Sequence, residues 1–271
     1  MERSPGFIVK GAFNMTDAKG IDIKQVEDLS NRRWFESVDS MLDAVSLAIR
    51  SRSIGDQFWV YCVNLYTLGL LARNETFARS YSNKSVAIAD GVVIRLLSLM
   101  LRWPTRERIT GAKAFESILN LGTSDRALKC FFVGSDYETL EKIKARLACE
   151  YLFVACVGSI APPFTDQELV FRSPDFVAEI NASGADVLFV ALTQPKQEIW
   201  LHENFSSLQV PVALGIGAVF DFYAGKYVRA PRMVRAMGAE WVYRIAQSPS
   251  KIFQRFRYAL PVLVRLLFLS R

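Results

Sequence analysis

A chain of 271 residues, of which 51% are hydrophobic, is long and apolar enough to bury a sizeable core, and this excludes a mainly disordered protein. The net charge of +6 is concentrated near the C-terminal end, where residues 229–271 hold nine Lys or Arg and one acid, Glu240. This asymmetry predicts an anionic partner for that end and gives no reason to expect nucleic acid.

Two further classes are disfavoured by the pattern of apolar residues and cysteines. No stretch offers about 18 uninterrupted apolar residues, and the first residues lack the apolar run of a secretory signal, so we predict no transmembrane helix and no export signal. The cysteines form no CxxC pair, which predicts reduced, buried thiols and neither a disulfide framework nor a zinc site. They are Cys62, Cys130, Cys149 and Cys156.

The first elements of the chain lead to two polar strand ends. Residues 1–33 show no clear period and are expected to form an extended or partly ordered leader, followed by a helix with Ser37 as its N-cap. Residues 57–63 are rich in aromatic and β-branched residues, which predicts a buried strand ending at Asn64. A helix over 65–78 then leads to a strand over 85–89, which ends at Asp90 and Gly91.

The segment after Asp90 is expected to be a buried scaffold. Residues 92–101 form an apolar helix that looks too hydrophobic to face water on any side. A basic run, 102–108, follows and ends at Arg108, eighteen residues after Asp90. A buried helix with a polar group at each end is well suited to holding a reaction site.

Strands and helices then alternate to the end of the core. The predicted strands are 130–133, 152–157, 187–192 and 210–214, and helices are expected over 137–151, at 176–182 and from Pro195 onward. This alternation predicts an α/β fold with a mostly parallel, Rossmann-like sheet and helices on both faces. Beyond Asp221 the pattern is helical, so we divide the chain into a leader (1–33), a core (34–225) and a basic helical appendage (226–271).

Polar groups at successive strand ends are the candidate site, because ligands of such sheets bind at the C-terminal ends of the strands. These groups are Asn64, Asp90, the 194–198 cluster and Asp221. Each has a structural alternative: Asp90 suits a turn or a helix N-cap, and Asn64 suits a cap. Likewise Arg108 suits a solvated basic run, and Glu198 suits an exposed first helical turn.

The glycines of Gly215-Ile216-Gly217 do not form a dinucleotide fingerprint, because Phe220 stands where the third glycine would let helix and strand pack. Gly217 still permits close approach of a ligand to backbone amides. No P-loop and no DxD pair is present, so we predict no metal site and no cofactor. Phosphate charge would then be met by arginines and amides.

Taken together, these motifs resemble one family, the WecG/TagA/CpsF glycosyltransferases. The matching pieces are Asn64, Asp90-Gly91, Arg108 with Thr110-Gly111, Gly134, 195–198 with Trp200, 215–217 with Phe220-Asp221, 224–226, 229–231 and 240–244. The resemblance implies transfer of a sugar from a nucleotide diphosphate, with UDP expected, to a polyprenyl-diphosphate-linked saccharide in bacterial cell-surface polysaccharide synthesis. It also implies a peripheral position on the inner face of the plasma membrane.

Roles are carried over from the family residue by residue. Asp90 would be the general base of an inverting, metal-independent transfer, and Arg108 would bind or stabilise the substrate. The resemblance, with the strand ends, assigns substrate binding to Cys62, Asn64, Gly91, Thr110, Gly134, Gln197, Glu198, Gly215, Gly217 and Asp221. The basic residues expected at the lipid diphosphate or the anionic membrane surface are Arg229, Arg232, Arg235, Arg244, Arg255 and Arg257. The apolar residues available for the bilayer are Phe253, Phe256, Leu260, Leu266 and Leu267.

Three departures from the family pattern leave the donor sugar open. Cys62 stands where threonine is usual, Val93 where a second glycine is usual, and Thr193-Gln194 where a glycine and a small residue usually precede 195–198. The basic helices also allow packing against the core or another subunit, so a homo-oligomer is open. Two rival classes are a nucleotide-binding oxidoreductase on a similar sheet and a non-catalytic adaptor at a membrane surface.

Overall fold

The computed structural model describes residues 24–81, 84–162, 174–227 and 249–269. The strands are β1 (Phe58–Val63), β2 (Ser85–Ala89), β3 (Leu128–Gly134), β4 (Val154–Ile160), β5 (Val187–Ala191) and β6 (Val212–Gly215). The helices are α1 (Lys24–Glu27), α2 (Val38–Ser51), α3 (Leu65–Leu71), α4 (Glu75–Arg79), α5 (Val92–Met100), α6 (Gly111–Leu119), α7 (Tyr137–Glu150), α8 (Pro174–Ala182), α9 (Lys196–Asn204), α10 (Val219–Tyr223) and α11 (Pro249–Leu269).

The six strands form one sheet in the order β2-β1-β6-β5-β3-β4, and every pair is parallel. Alternate residues of each strand enter one of two cores: Trp59 and Tyr61 lie on one face, and Val60 and Cys62 on the other. A parallel sheet buried on both faces needs such continuous apolar strands. The predicted α/β architecture is therefore confirmed.

Residues 24–31, within the predicted leader, pack onto this core. Val26 and Leu29 are buried in the same cluster as Trp59. The indole Nε1 of Trp34 donates a hydrogen bond to the carbonyl of Leu29 at 2.8 Å. The indole ring itself stacks on Trp103 at a centroid distance of 5.4 Å. The described part of the leader thus contributes apolar surface to the core.

Some local predictions were wrong. The single helix expected over 65–78 is two helices, because Asn74 begins a new one by accepting a hydrogen bond from the amide of Phe77 at 2.9 Å. Strand β4 continues to Ile160, past its expected end at 157. The cysteines form no disulfide, but Cys149 is exposed and Cys156 is partly exposed, so only two of the four are buried.

The apolar helix after Asp90 is not buried all round, as the sequence had suggested. Helix α5 turns Ile94, Leu97 and Ser98 inward. Its opposite side leaves Leu96, Leu99 and Met100 with 56%, 60% and 53% of their surface exposed. The helix follows β2, an edge strand. Hydrophobicity alone did not reveal that only one side of α5 would be covered.

The C-terminal helix α11 packs closely against α3. A Cβ atom at Gly69 would lie 2.7 Å from the carbonyl carbon and oxygen of Tyr258, so the two backbones approach at a point where a side chain has no room. The guanidinium of Arg73 donates to the carbonyl of Tyr258 at 2.6 Å. Ala259, Val262 and Leu266 are buried in this contact.

Two findings bear on contact with a membrane. Leu266, expected to be available for a bilayer, is instead buried against the core, while the side chain of Leu267 lies outside the described set. Among the residues that the structure describes, no helix combines the length and the hydropathy of a membrane-spanning segment.

Candidate active site

A pocket opens at the C-terminal ends of β1, β2, β5 and β6, where the sequence placed the site. It is lined by Cys62, Asn64, Asp90, Thr110, Gly111, Ala112, Thr193, Gln194, Gln197, Ile216, Gly217, Ala218, Val219, Phe222 and Arg255. Segments far apart in sequence therefore meet here, including one residue from the C-terminal helix. This convergence brings together seven of the residues expected from the sequence: Cys62, Asn64, Asp90, Thr110, Gln197, Gly217 and Arg255.

Asp90 follows β2 and is partly exposed in the pocket. Its amide donates to the carbonyl of Val63 at 2.9 Å, which ties it to the end of the neighbouring strand. Helix α5 has Gly91 as its N-cap, at φ +102°, and no side chain caps it. The alternative of Asp90 as the cap of this helix is therefore wrong, and the residue lines the pocket.

Asn64 combines its expected capping role with a place in the pocket wall. Its side-chain oxygen accepts from the amide of Thr67 at 3.1 Å and so caps α3. Its Nδ2 donates to Oε1 of Gln194 at 3.2 Å, which links the loop after β1 to the loop after β5. The capping and binding interpretations of this residue are therefore compatible.

Cys62 lies almost buried at the base of the pocket, with its thiol 3.5 Å from the carbonyl oxygen of Gly215. A Cβ atom at Gly111 would be 3.1 Å from this sulfur, so the start of α6 packs directly on it. Burial raises the pKa of the thiol, and the nearby charges of Asp90 and Glu198 raise it further. The thiol is therefore protonated at neutral pH, which argues against a thiolate nucleophile.

Three side chains of the 194–198 segment form a connected polar network. Oε1 of Glu198 accepts from Nε2 of Gln194 at 3.0 Å and from Nε2 of Gln197 at 2.9 Å. Oε1 of Gln197 accepts from the amide of Gly217 at 3.0 Å. Glu198 is fully buried, so its interpretation as an exposed first-turn residue is wrong. Burial raises its pKa to about 7, although the two amide hydrogen bonds oppose the shift.

Thr110 and Arg108 belong to the segment that enters α6. The hydroxyl of Thr110 caps that helix by accepting from the amide of Lys113 at 3.2 Å. Arg108, two residues earlier, is partly exposed and does not appear among the described residues that line the pocket. Its proposed substrate contact thus depends on the reach of a long side chain next to the site.

Five of the other predicted residues are not among the described residues that line the pocket. Gly91 is the N-cap residue of α5, directly after Asp90. A Cβ atom at Gly215 would be 3.1 Å from Nε2 of Gln197, a residue of the pocket wall. Gly134 has φ +106° and lies against the backbone of Ala191. Glu198 lies behind Gln194 and Gln197. Arg257 is exposed on α11.

Asp221 belongs to a neighbouring polar group. Its Oδ1 accepts from the hydroxyl of Ser135 at 2.9 Å, which joins α10 to the turn after β3. Lys226 pairs with Asp136 at 2.6 Å and approaches Asp221 at 4.0 Å. This pairing lowers the pKa of Asp136 to about 2 despite partial burial. Asp221 therefore connects elements beside the pocket.

Arg255 reaches the pocket from the C-terminal helix. Its guanidinium lies over the ring of Tyr66 at 5.5 Å from the centroid, and Tyr66 also meets Tyr258 edge to face at 5.9 Å. A cation–π contact of this kind helps to hold the guanidinium at this position. The four predicted arginines Arg229, Arg232, Arg235 and Arg244 lie outside the described residues.

Sequence reasoning did not single out Phe222, Ile216 or Val219 as pocket residues. They are apolar: Ile216 directly follows β6, and Val219 and Phe222 lie on the short helix α10. Thr193 was noted only as a departure from a pattern, whereas Gln194 also began the candidate 194–198 cluster, and both line the pocket. The signal that was available is their position directly after a buried strand.

Thr193 adopts φ +66°, a left-handed conformation that is unfavourable for a β-branched residue. Such strain costs on the order of 1–3 kcal/mol. We expect Thr193→Gly to raise the free energy of unfolding by about 1 kcal/mol in urea titrations, after allowing for the greater freedom of glycine in the unfolded chain. Thr193→Ala keeps a Cβ atom at this backbone and is the matched control. A Gly variant no more stable than the Ala variant would contradict the strain.

The position of Phe220 shows how this site differs from a dinucleotide site. Its ring is fully buried and packs against Phe132 at 5.7 Å and Phe115 at 6.4 Å. The third glycine of a dinucleotide fingerprint exists to remove such a side chain and let helix and strand approach. The segment after β6 therefore lacks the packing on which the oxidoreductase interpretation depends.

The fold, the pocket and the order of its motifs agree with a match to a family model. The model described as the glycosyl transferase WecG/TagA/CpsF family matches residues 33–271, which is nearly the whole chain. The matched range includes every strand of the sheet, every residue that lines the pocket and helix α11. The chain belongs to the WecG/TagA/CpsF family and is a glycosyltransferase of cell-surface polysaccharide synthesis.

Proposed function

We propose that this glycosyltransferase transfers a sugar from a nucleotide diphosphate, with UDP the expected nucleotide, to a polyprenyl-diphosphate-linked saccharide, with inversion and without a metal ion. The observation that carries the proposal is Asp90, the one carboxylate among the described residues that line the pocket. It shares this pocket with Arg255 and with the backbone of Gly217. Such a pocket pairs a proton acceptor with a guanidinium, a group suited to phosphate.

Asp90 would take the proton from the acceptor hydroxyl as that oxygen attacks the anomeric carbon. The bond from the anomeric carbon to the diphosphate oxygen breaks in the same step, and the nucleotide diphosphate leaves with the electron pair. Donors directed at this leaving group lower the barrier because charge grows there. The pocket suits these roles, because it holds a protonated Cys62, several side-chain amides and, among the described residues, a single carboxylate.

Arg255 and Arg108 are the proposed partners of the phosphates. Guanidinium groups bind phosphate oxygens in pairs of charge-assisted hydrogen bonds. Arg255 lines the pocket, and Arg108 precedes Thr110 at its rim. We place the donor diphosphate near Arg255 and Gly217. We propose that Arg108 contacts the diphosphate, of donor or acceptor, that lies nearer to Thr110.

The outer face of α11 supports a peripheral position at the inner face of the plasma membrane. Its exposed apolar residues recur at helical spacing, opposite the buried face, and are Phe253, Phe256, Leu260, Val264 and Phe268. The exposed Arg257 and Arg265 lie on the same helix. A helix of this kind lies in the interface of an anionic bilayer, where each basic residue contributes about 1 kcal/mol. The polyprenyl acceptor would be met at this surface.

A donor panel tests the proposal. Purified protein is incubated with UDP- and GDP-sugars and a polyprenyl-diphosphate saccharide in anionic vesicles, with and without EDTA, and the product linkage is read by NMR. We expect one UDP-sugar to give an inverted glycoside with EDTA present. Loss of transfer with EDTA that Mn²⁺ restores would overturn the metal-free mechanism. Binding of NAD without transfer from any sugar donor would favour the oxidoreductase.

A further inference from the structure

Glu198 occupies a position that the proposed transfer does not use directly. It lies in the first turn of α9 and is fully buried behind the pocket wall. Its Oε1 accepts both amide hydrogen bonds, from Gln194 and from Gln197, at 3.0 and 2.9 Å. Within the described part of the chain, Oε2 has no hydrogen-bond partner. Burying a carboxylate costs free energy. A buried carboxylate that accepts hydrogen bonds from two amides of the pocket wall therefore needs a structural reason.

The carboxylate determines which way the two glutamine side chains face. An ionised carboxylate only accepts hydrogen bonds, so each glutamine must present its NH₂ group to Glu198 and its oxygen elsewhere. For Gln197, that oxygen meets the amide of Gly217 at 3.0 Å. For Gln194, it meets Nδ2 of Asn64 at 3.2 Å. Turning either amide over would place oxygen against carboxylate and leave the partner on the far side unsatisfied.

The same carboxylate therefore joins three loops of the pocket. Gln194 and Gln197 follow β5, Asn64 follows β1 and Gly217 follows β6, and all four line the pocket. The side chain of Gln197 also packs closely on Gly215, where a Cβ atom would lie 3.1 Å from its Nε2. The position of the Gly217 backbone, beside which we place the donor diphosphate, is thus set through Gln197 by Glu198.

We propose that Glu198 is the positioning residue of this site, whose carboxylate fixes the amide orientations of Gln194 and Gln197 and thereby the loops that receive the nucleotide diphosphate. The inference rests on the proposed function for the identity of the ligand. The amide network itself is a property of the protein without a ligand. It can therefore be tested separately from sugar transfer.

The ionisation of Glu198 makes the network sensitive to pH. Burial raises its pKa to about 7, so the carboxylate changes charge near neutrality. The titratable groups whose pKa its charge raises are Cys62 on β1, Tyr66 on α3 and Tyr81 after α4. The charged residues of the pocket wall in front of it are Asp90 and Arg255. Below pH 7 Glu198 gains a proton, and its hold on the amides weakens because charge-assisted bonds become neutral ones.

The first test follows the side-chain amides in the protein without substrate. Protein labelled with ¹⁵N at glutamine Nε2 is titrated from pH 5.5 to 8.5, and the signals of Gln194 and Gln197 are assigned with Gln→Ala variants. We expect both signals to shift with a midpoint near pH 7 in the wild type and to stay constant in Glu198→Gln. Signals that do not shift with pH in the wild type and that keep the same positions in Glu198→Gln would overturn the proposal, whatever reaction the protein catalyses.

The second test uses sugar transfer and UDP binding. Glu198→Gln retains an oxygen acceptor of the same shape, whereas Glu198→Leu retains none. We expect the ratio of kcat/KM at pH 8 to that at pH 6 to be several-fold higher in the wild type than in Glu198→Gln. We also expect Glu198→Leu to weaken UDP binding at least tenfold. Equal ratios, or unchanged UDP binding by a folded Leu variant, would overturn the positioning role.

Discussion

Replacement of Asp90 by asparagine is expected to lower kcat by about 10²-fold or more, because the amide cannot accept the proton of the acceptor hydroxyl. The donor Kd should change little, since the substitution keeps the shape of the pocket and leaves Arg255 and Gly217 in place. The substitution also removes no helix cap, because the N-cap residue of α5 is Gly91 and no side chain caps that helix. Steady-state transfer and calorimetric titration with UDP measure the two quantities.

Asp125→Asn is the matched control for this substitution, since Asp125 is exposed in the loop before β3 and remote from the pocket residues. It should leave kcat unchanged. Wild-type turnover by Asp90→Asn would remove Asp90 as the base. A similar loss of kcat in both variants would show that the effect comes from charge in general.

Substitution of Gly69 by alanine is expected to displace helix α11 and with it Arg255. The new Cβ atom would come within 2.7 Å of the Tyr258 backbone, which a side-chain rotation cannot relieve. Overpacking of this kind costs about 1–3 kcal/mol, and the contact between Arg73 and the Tyr258 carbonyl would be strained as well. We expect kcat/KM to fall at least tenfold, about the loss of one charged hydrogen bond.

Limited trypsin digestion distinguishes this displacement from general unfolding. Cleavage after Lys251, Arg255 and Arg257 should become faster in Gly69→Ala while the sheet stays resistant. Gly55→Ala is the control, because a Cβ atom there meets only the Ser53 hydroxyl at an ordinary 3.5 Å. Arg255→Ala should reproduce the loss of activity without faster cleavage after Lys251. A Gly69→Ala variant with native digestion and activity would show that the crossing tolerates a side chain.

The sequence predicted the sheet well because its strands are continuous apolar runs. The ends of such strands in a parallel sheet meet at one edge, so Asn64, Asp90 and Gln197 could be placed together before the structure was known. Helix α5 shows where this reasoning fails. Its composition implied burial on all sides, but burial depends on which neighbours cover an edge strand, and local sequence does not contain that information.

The sequence predicted which strand-end residues belong to the candidate site, but it did not predict which of them would be buried. Glu198 was a candidate binding residue, with an exposed first helical turn as the alternative, and its full burial was not predicted. Its hydrogen-bond partners Gln194 and Gln197 are connected to Asn64 after β1 and Gly217 after β6, which come from distant parts of the chain. Arg255 was expected at the lipid diphosphate or the membrane surface and lies at the pocket, since the packing of Gly69 against Tyr258 determines where α11 passes. In both cases a long-range contact decided the outcome.

The order of the strands also bears on how the protein is made. Strand β6 is the last of the six in the chain, yet it lies between β1 and β5 in the sheet. A chain emerging from the ribosome therefore holds β1 and β5 with an unpaired edge each until residues 212–215 insert between them. Gly217 follows β6, so the pocket is completed only when this strand has inserted. Translation arrested before this point would leave two partial sheets that chaperones must shield, and no functional enzyme.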